Sequence, residues 1–431
     1  MRLLKDNAKR AKDHLFAAQT TYYDQPLTLV EGEGTRLRDS EGNEYLDAFA
    51  GIATNTLGYG DTEVAQAVAD QAKKLLHTST LYLSEEQLDL AETLASISPE
   101  GMTKSFMSNS GSEANEMAAL VARTSKQSVD LLALDHAYHG RTVYTVAMAG
   151  QSNWRNFAAQ YPHVAFVPNP YCYRCPLGLE YPSCEIACAK SAKRVIETQT
   201  NGDPAAMIAE TIAGVGGIIT PPPEYFQVLK DTLAPFGTLL IADEVQTGWG
   251  RLGDGMFGMV SSYNVVPDII TSAKGLASGL PIGITITRPE LADVFKGPHI
   301  NTFGGNPLSS RAARVTIETI SKRNLIANAK RQGETLLAGL KELQKRFPLI
   351  GEVRGRGLMI GVELVRDAAK TYAAAEATRI VEEMRKQGVL VGKGGRFGNV
   401  IRIQPPLIFS DSDSAEFLRA FEASLGANLS A

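Results

Sequence analysis

The chain has 431 residues, 44% of them hydrophobic and 21% charged, with a formal net charge of −4. That length holds a large domain plus a smaller one, and the balance is that of a globular enzyme with an ordinary core. The slight acidity argues against a nucleic-acid or membrane-surface partner, and no apolar run approaches the ~18 residues a membrane-spanning helix needs.

The segment from Met1 to Arg10 breaks into charge at once, and Asp6 and Asp13 are unlike an organelle leader, so a cytoplasmic location is expected. Residues 1–15 read as a polar helix. Residues 27–49 alternate apolar and polar positions around Gly32, Gly34 and Gly42, the pattern of a small antiparallel meander. Val64 to Leu76 carries helical spacing. From Lys104 the texture alternates: a short strand at Lys104–Met107, a helix at Ser112–Lys126 and a strand at Val129–Leu134. Buried-type strands follow at Ala206–Glu210, Leu239–Asp243 and Ile269–Thr271. Strands alternating with helices predict an α/β fold with a mostly parallel sheet. Beyond residue 320, a long amphipathic helix (Asn324–Phe347), strands at Leu358–Glu363 and Val400–Ile403, and a helix at Ala373–Gln387 read as an α+β part that packs with the N-terminal meander.

Four features along this frame carry chemistry. Asn109-Ser110-Gly111-Ser112-Glu113 falls between a strand and a helix, where small residues let backbone N–H groups and hydroxyls reach a phosphate at the helix N-terminus. A plain Ser N-cap reads the same way. Tyr138, in Asp135-His136-Ala137-Tyr138-His139-Gly140, follows a strand and is placed to stack on a flat ring, although a buried structural tyrosine fits equally. Asp243 and Lys274 each end a strand-like run, and taken singly each is an ordinary loop or surface residue. Together the four supply the contacts of pyridoxal phosphate (PLP). Lys274 condenses with the aldehyde, Asp243 faces the ring nitrogen, Tyr138 gives a stacking face, and Ser110, Gly111 and Ser112 hold the phosphate.

These motifs resemble those of the class III, fold-type I PLP-dependent aminotransferases from about Gly32 to about Leu407. The resemblance rests on Asn-Ser-Gly-Ser-Glu-Ala-Asn at 109–115, Tyr-His-Gly at 138–140 and Ala-Asp-Glu-Val-Gln-Thr-Gly at 242–248. Ala-Lys-Gly at 273–275 and Asn-Thr-Phe-Gly-Gly-Asn-Pro at 301–307 complete it. It implies a large PLP-binding domain (56–320) with a mostly parallel sheet, and a smaller α+β domain built from both termini (1–55 and 321–431). It also implies that Val245 packs on the ring face opposite Tyr138, that Gln246 bonds the ring hydroxyl, and that Glu210 is the strand-end glutamate beside the cofactor. Thr302 would reach the phosphate of a neighbouring subunit, so a homodimer is implied. Arg402, in Ile401-Arg402-Ile403-Gln404-Pro405-Pro406, matches the arginine that grips a substrate carboxylate.

One departure is informative. Many members carry a second glutamate shortly after the first, where it pairs with that arginine; here Val215 stands in its place. Arg402 is then free for a carboxylate in both half-reactions, as in the alanine:glyoxylate and ω-amino-acid:pyruvate branch. The expected activity moves an amino group from an ω- or β-amino acid, alanine or amine donor to pyruvate or glyoxylate. Freed Lys274 carries the proton as general acid–base. A phospho-lyase, ammonia-lyase or aminomutase shares the same cofactor motifs. Tyr22, Tyr23, Phe49 and Ala53 are candidates for the substrate pocket.

All four cysteines of the chain fall between 172 and 188, as Cys172, Cys175, Cys184 and Cys188 in a C-x2-C-x8-C-x3-C pattern. Zinc and a four-iron cluster both suit four thiolates this close, and four free thiols are the alternative. A metal here would staple the loop from Pro168 to Cys188. The reading furthest from an enzyme is a four-cysteine interaction module on an α/β scaffold.

Overall fold

The inner strands of the large sheet are short runs of buried residues, as a sheet covered on both faces requires. In a computed structural model, which describes residues 6–155 and 163–429, seven strands form this sheet. Their order is Lys104–Ser108, Gly283–Thr287, Ile269–Ser272, Leu239–Asp243, Ala206–Glu210, Leu131–Leu134 and Val164–Val167. The last five of these are mutually parallel. Gly283–Thr287 runs against both its neighbours. That strand has no distinct signature in the sequence; its Ile-Thr alternation is pulled into the sheet by pairing on both edges.

Alternate residues point to opposite faces. Leu132, Leu134, Met207, Ala209, Leu240 and Ala242 join one core, with Ile196, Tyr225 and Phe226 from helices Ala192–Gln199 and Tyr225–Leu233. Leu131, Ala133, Ile208 and Ile241 join the other, with Met117, Ala118 and Val121 from helix Gly111–Lys126. The register aligns Glu210 with Asp243 and Asp243 with Thr271. Three polar side chains therefore stand side by side at the carboxyl ends of adjacent parallel strands, the edge where such sheets bind ligands.

The meander forms as expected, with antiparallel strands Leu29–Glu33, Arg36–Asp39 and Glu44–Asp47. Val389–Leu390 from the far end of the chain adds a parallel fourth strand. Another four-stranded sheet contains Ile350–Arg356, Met359–Leu364, Val400–Ile403 and Gly392–Gly394. The helix Leu325–Arg346 packs on it. Both termini thus build the smaller α+β part. Among the described residues, no helix is long and apolar enough to cross a membrane.

Candidate active site

A cavity of about 320 Å³ opens at the carboxyl edge of the large sheet. Its wall includes Ser110, Gly111, Ser112, Tyr138, Glu210, Asp243, Val245, Gln246 and Lys274. Nine of the positions singled out from sequence are thereby brought together from between Ser110 and Lys274. Thr54, Asn109, Asn115 and His139 also line the wall without having been singled out.

Ser110 serves both of its readings. Its side chain caps helix Gly111–Lys126, accepting from the Glu113 N–H at 3.2 Å, and it stays on the cavity wall. Glu113 reaches back to the Asn109 N–H at 2.8 Å, so the turn is locked from both ends. A Cβ at Gly111 would sit 2.9 Å from Cγ2 of Val245, so only glycine lets the helix start lie against that side chain. Gly140 is as constrained: its φ is +138°, and a Cβ there would lie 2.3 Å from Oγ of Ser112.

Asp243 is held from three sides. Nδ1 of His139 lies 2.7 Å from Oδ2, Nδ2 of Asn115 donates to the same oxygen at 2.8 Å, and the Val245 N–H donates to Oδ1 at 3.0 Å. His139 and Asn115 are buried, and Nε2 of His139 has no partner among the described residues. Asn115 in turn accepts from the Thr271 hydroxyl. These holders lie 104 and 128 residues from Asp243 in sequence. The only local hint was the position of His139 directly after Tyr138.

Lys274 sits half-buried in a tight turn at a φ of +42°, a left-handed conformation that a non-glycine residue keeps only where its surroundings enforce it. The enforcing contacts come from the N-terminal segment: Thr56 Oγ1 donates to the Gly275 carbonyl at 3.0 Å, and the Leu57 N–H donates to Ser278 Oγ at 3.2 Å. Burial and then the Arg402 charge push the Lys274 amine down to about 8, against the opposing pull of Asp243 and Glu210. Glu210 accepts from the Tyr138 N–H at 2.9 Å and the Gly214 N–H at 2.8 Å. Burial pushes its carboxyl up to about 7. Tyr138 also packs edge-on against Trp154, 5.0 Å between ring centres.

Arg402 stands one side chain behind the wall. Its Nη2 donates to Oε1 of Gln246 at 2.8 Å and to Oε1 of Gln404 at 2.7 Å, and Gln404 Nε2 donates to the same Gln246 oxygen at 3.2 Å. Nε of Arg402 is buried without a partner among the described residues. The Val215 backbone lies near Arg402: a Cβ at Gly394 would be 2.5 Å from Cδ of Arg402 and 3.4 Å from the Val215 carbonyl oxygen. Of the pocket candidates, Phe49 lies 5.1 Å from the Arg402 guanidinium carbon and 6.1 Å from the Tyr22 ring. Ala53 precedes the wall residue Thr54. Tyr23 instead packs with Leu37, Tyr45 and Leu390 in the meander. Thr302 is exposed and outside the cavity of its own chain.

This donor set fits PLP. A helix N-terminus with two hydroxyls faces an anion, a carboxylate held by three donors faces a basic nitrogen, and a lysine amine near neutrality faces an aldehyde.

The metal expected at the cysteines finds no support in this geometry. Cys172, Cys175, Cys184 and Cys188 do share one small cavity, walled by Pro170, Leu177, Leu179, Ile186 and Pro222. Yet among the described residues no group of three or more His, Cys, Asp or Glu side chains is placed to hold a metal ion, and all four thiols are free. Burial pushes the Cys188 thiol up to about 12 and that of Cys172 upward. Side-chain bonds tie the loop to the small sheet. Tyr171 and Arg174 both donate to Glu363, and Arg354 donates to Glu363 at 2.7 Å and to the Gly217 carbonyl at 2.7 Å.

Comparison with known proteins agrees with this geometry. The family model described as aminotransferase class-III matches residues 18–425. The Arabidopsis thaliana protein named alanine–glyoxylate aminotransferase 2 homolog 2, mitochondrial, is 41% identical over 419 residues, which cover 96% of this chain and 86% of the relative. Among solved structures, a Bacillus anthracis aminotransferase superposes with a TM-score of 0.92 at 30% identity, covering 98% of this chain and 100% of the other. An amine transaminase from an uncultivated Pseudomonas species, in its PLP-bound form, gives 0.90 at 30% identity and covers 96% and 98%. A family match of this extent, with the family's motifs gathered at one cavity, makes the chain a class III aminotransferase: a fold-type I, PLP-dependent transaminase.

Proposed function

We propose that this transaminase takes its amino group from alanine, an ω- or β-amino acid or an amine and delivers it to a short keto acid, pyruvate or glyoxylate. The observation that carries the proposal is the setting of Arg402. Its bonded partners are two neutral amides, with Val215 where an acid would gate it, so its charge is available to a substrate carboxylate in both halves of the cycle.

PLP, when bound, supplies an electron sink for the carbanion formed at the amine-bearing carbon. The chain's own residues do the rest. Ser110, Gly111 and Ser112 would hold the phosphate at the helix start, and Tyr138 and Val245 would bracket the ring. Asp243, immobilised by His139, Asn115 and the Val245 N–H, would keep the ring nitrogen protonated. Gln246, whose Oε1 is occupied by Arg402 and Gln404, would offer Nε2 to the ring hydroxyl. Glu210 fixes the Tyr138 backbone. With its amine pushed down to about 8, Nζ of Lys274 gives up its proton far more readily than an ordinary lysine. It would serve as the general acid–base that moves the proton between the substrate carbon and the cofactor.

The division into 1–55 and 321–431 around 56–320 belongs to the same proposal, supported by the pairing of Val389–Leu390 with the N-terminal meander. So does a homodimer. Thr302 lies on the surface between the exposed Ile300 and Phe303, and Phe303 packs against His77 near the exposed Leu75, Leu76 and Leu81.

Amine donors assayed against pyruvate, glyoxylate and 2-oxoglutarate test this reading. Pyruvate or glyoxylate is expected to be the preferred acceptor. Preference for 2-oxoglutarate, or product formation with no keto acid present, overturns it.

A further inference from the structure

We propose that Gln404 is a specificity-determining residue: a neutral rest for Arg402 that keeps the guanidinium aimed and fully charged toward a substrate carboxylate while orienting the Gln246 amide. The inference rests on the reading of Arg402 given above. Gln404 is completely buried, and its side chain uses both ends. Oε1 accepts from Arg402 Nη2 at 2.7 Å, and Nε2 donates to Gln246 Oε1 at 3.2 Å, closing a triangle with the 2.8 Å bond from Arg402 to Gln246. Its backbone is equally fixed. The Gln404 N–H donates to the Ala48 carbonyl at 2.8 Å, and the next residue's carbonyl accepts from the buried Arg251 at 2.5 Å.

The chemistry of an amide is what matters at this position. Two amide oxygens satisfy one nitrogen of Arg402 without neutralising it, and Nε is left buried and unpartnered among the described residues. Gly394 and the Phe49 ring limit the arginine's movement from the other sides. A carboxylate at 404 would instead pair with the guanidinium permanently, and every incoming carboxylate would have to displace it. Val215 removes a competing acid from one direction, and Gln404 supplies a neutral partner from another.

The test compares Gln404→Glu, Gln404→Met and Arg402→Ala in the holoenzyme, with cofactor absorbance and thermal melting as checks on folding. Propionate is the carboxylate probe, titrated by calorimetry, alongside steady-state kinetics with pyruvate. Gln404→Glu is expected to weaken propionate binding and raise the pyruvate KM by at least about tenfold, with kcat within about twofold, because a charge pair replaces a one-sided charge-assisted bond. Unchanged propionate binding in Gln404→Glu, with binding lost in Arg402→Ala, overturns the role of Gln404 and leaves that of Arg402 standing. Unchanged binding in Arg402→Ala overturns both. Should Gln404→Glu fail to fold, Gln404→Met decides. A rise of at least about threefold in both constants supports the inference through loss of aim alone, and wild-type constants sink it.

Discussion

The lowered proton affinity of Lys274 makes a quantitative prediction for the cofactor-free protein. With its amine near 8, about 9% is unprotonated at pH 7, about half at pH 8 and about 90% at pH 9, whereas an ordinary lysine has well under 1% free at pH 7. Only the free amine attacks the aldehyde. The rate of covalent cofactor capture should therefore rise about tenfold between pH 7 and pH 9 and then level off; an unperturbed lysine would give about a hundredfold rise that continues beyond pH 9. Burial is the first cause of the shift and the Arg402 charge the second. Arg402→Gln should accordingly move the plateau to higher pH without abolishing it. Stopped-flow absorbance after mixing apoprotein with PLP measures the rate. Lys274→Ala, expected to fold, to bind the cofactor without the covalent phase and to lose turnover, separates capture from simple binding. A hundredfold rise with no plateau would refute the argument from burial, and normal turnover in Lys274→Ala would sink the assignment of the lysine.

Three further outcomes follow from the site's supports. His139→Leu removes a buried bond to the Asp243 carboxylate, worth about 1.5–3 kcal/mol. Equilibrium dialysis should show cofactor affinity reduced by about ten- to a hundredfold, and wild-type affinity would deny His139 its part in holding Asp243. Gly214→Ala puts a Cβ 2.5 Å from Nε2 of Gln246, an overpacking cost of about 1–3 kcal/mol; a lowered melting temperature with a raised KM for the keto acid is expected, and neither change would mean Gln246 is free to move. Phe303→Asp, on the exposed segment carrying Thr302, should shift sedimentation toward monomer and weaken cofactor binding together; a dimer unchanged at low micromolar concentration would move the interface elsewhere.

What could be read from the chain alone was what is local. The phosphate turn, the strand-end acid and the lysine turn announce themselves because a helix start, a sheet edge and a tight turn each demand particular neighbours within a few residues. The strands Ala206–Glu210 and Leu239–Asp243 were legible to the residue, being apolar runs closed by an acid. The cysteine spacing was legible too: it brought the four thiols to one cavity, on a loop that Tyr171 and Arg174 tie to Glu363.

The tertiary structure alone decided what supports each reactive group. Asn115 reaches Asp243 from the helix Gly111–Lys126, which packs on the sheet, and His139 reaches it from the loop that follows strand Leu131–Leu134. Gln404 and its near neighbour Arg402 meet Gln246 across more than 150 residues of chain, 158 in the case of Gln404, just past a strand of the small sheet. Such contacts leave no periodicity or spacing in the sequence, because a hydrogen bond between distant strands depends on register and sheet order. The sequence by itself determined the cofactor chemistry at Lys274 and Asp243. The fold determined how that lysine loses its proton, how that aspartate is held still, and why the arginine beside them keeps its charge for the substrate.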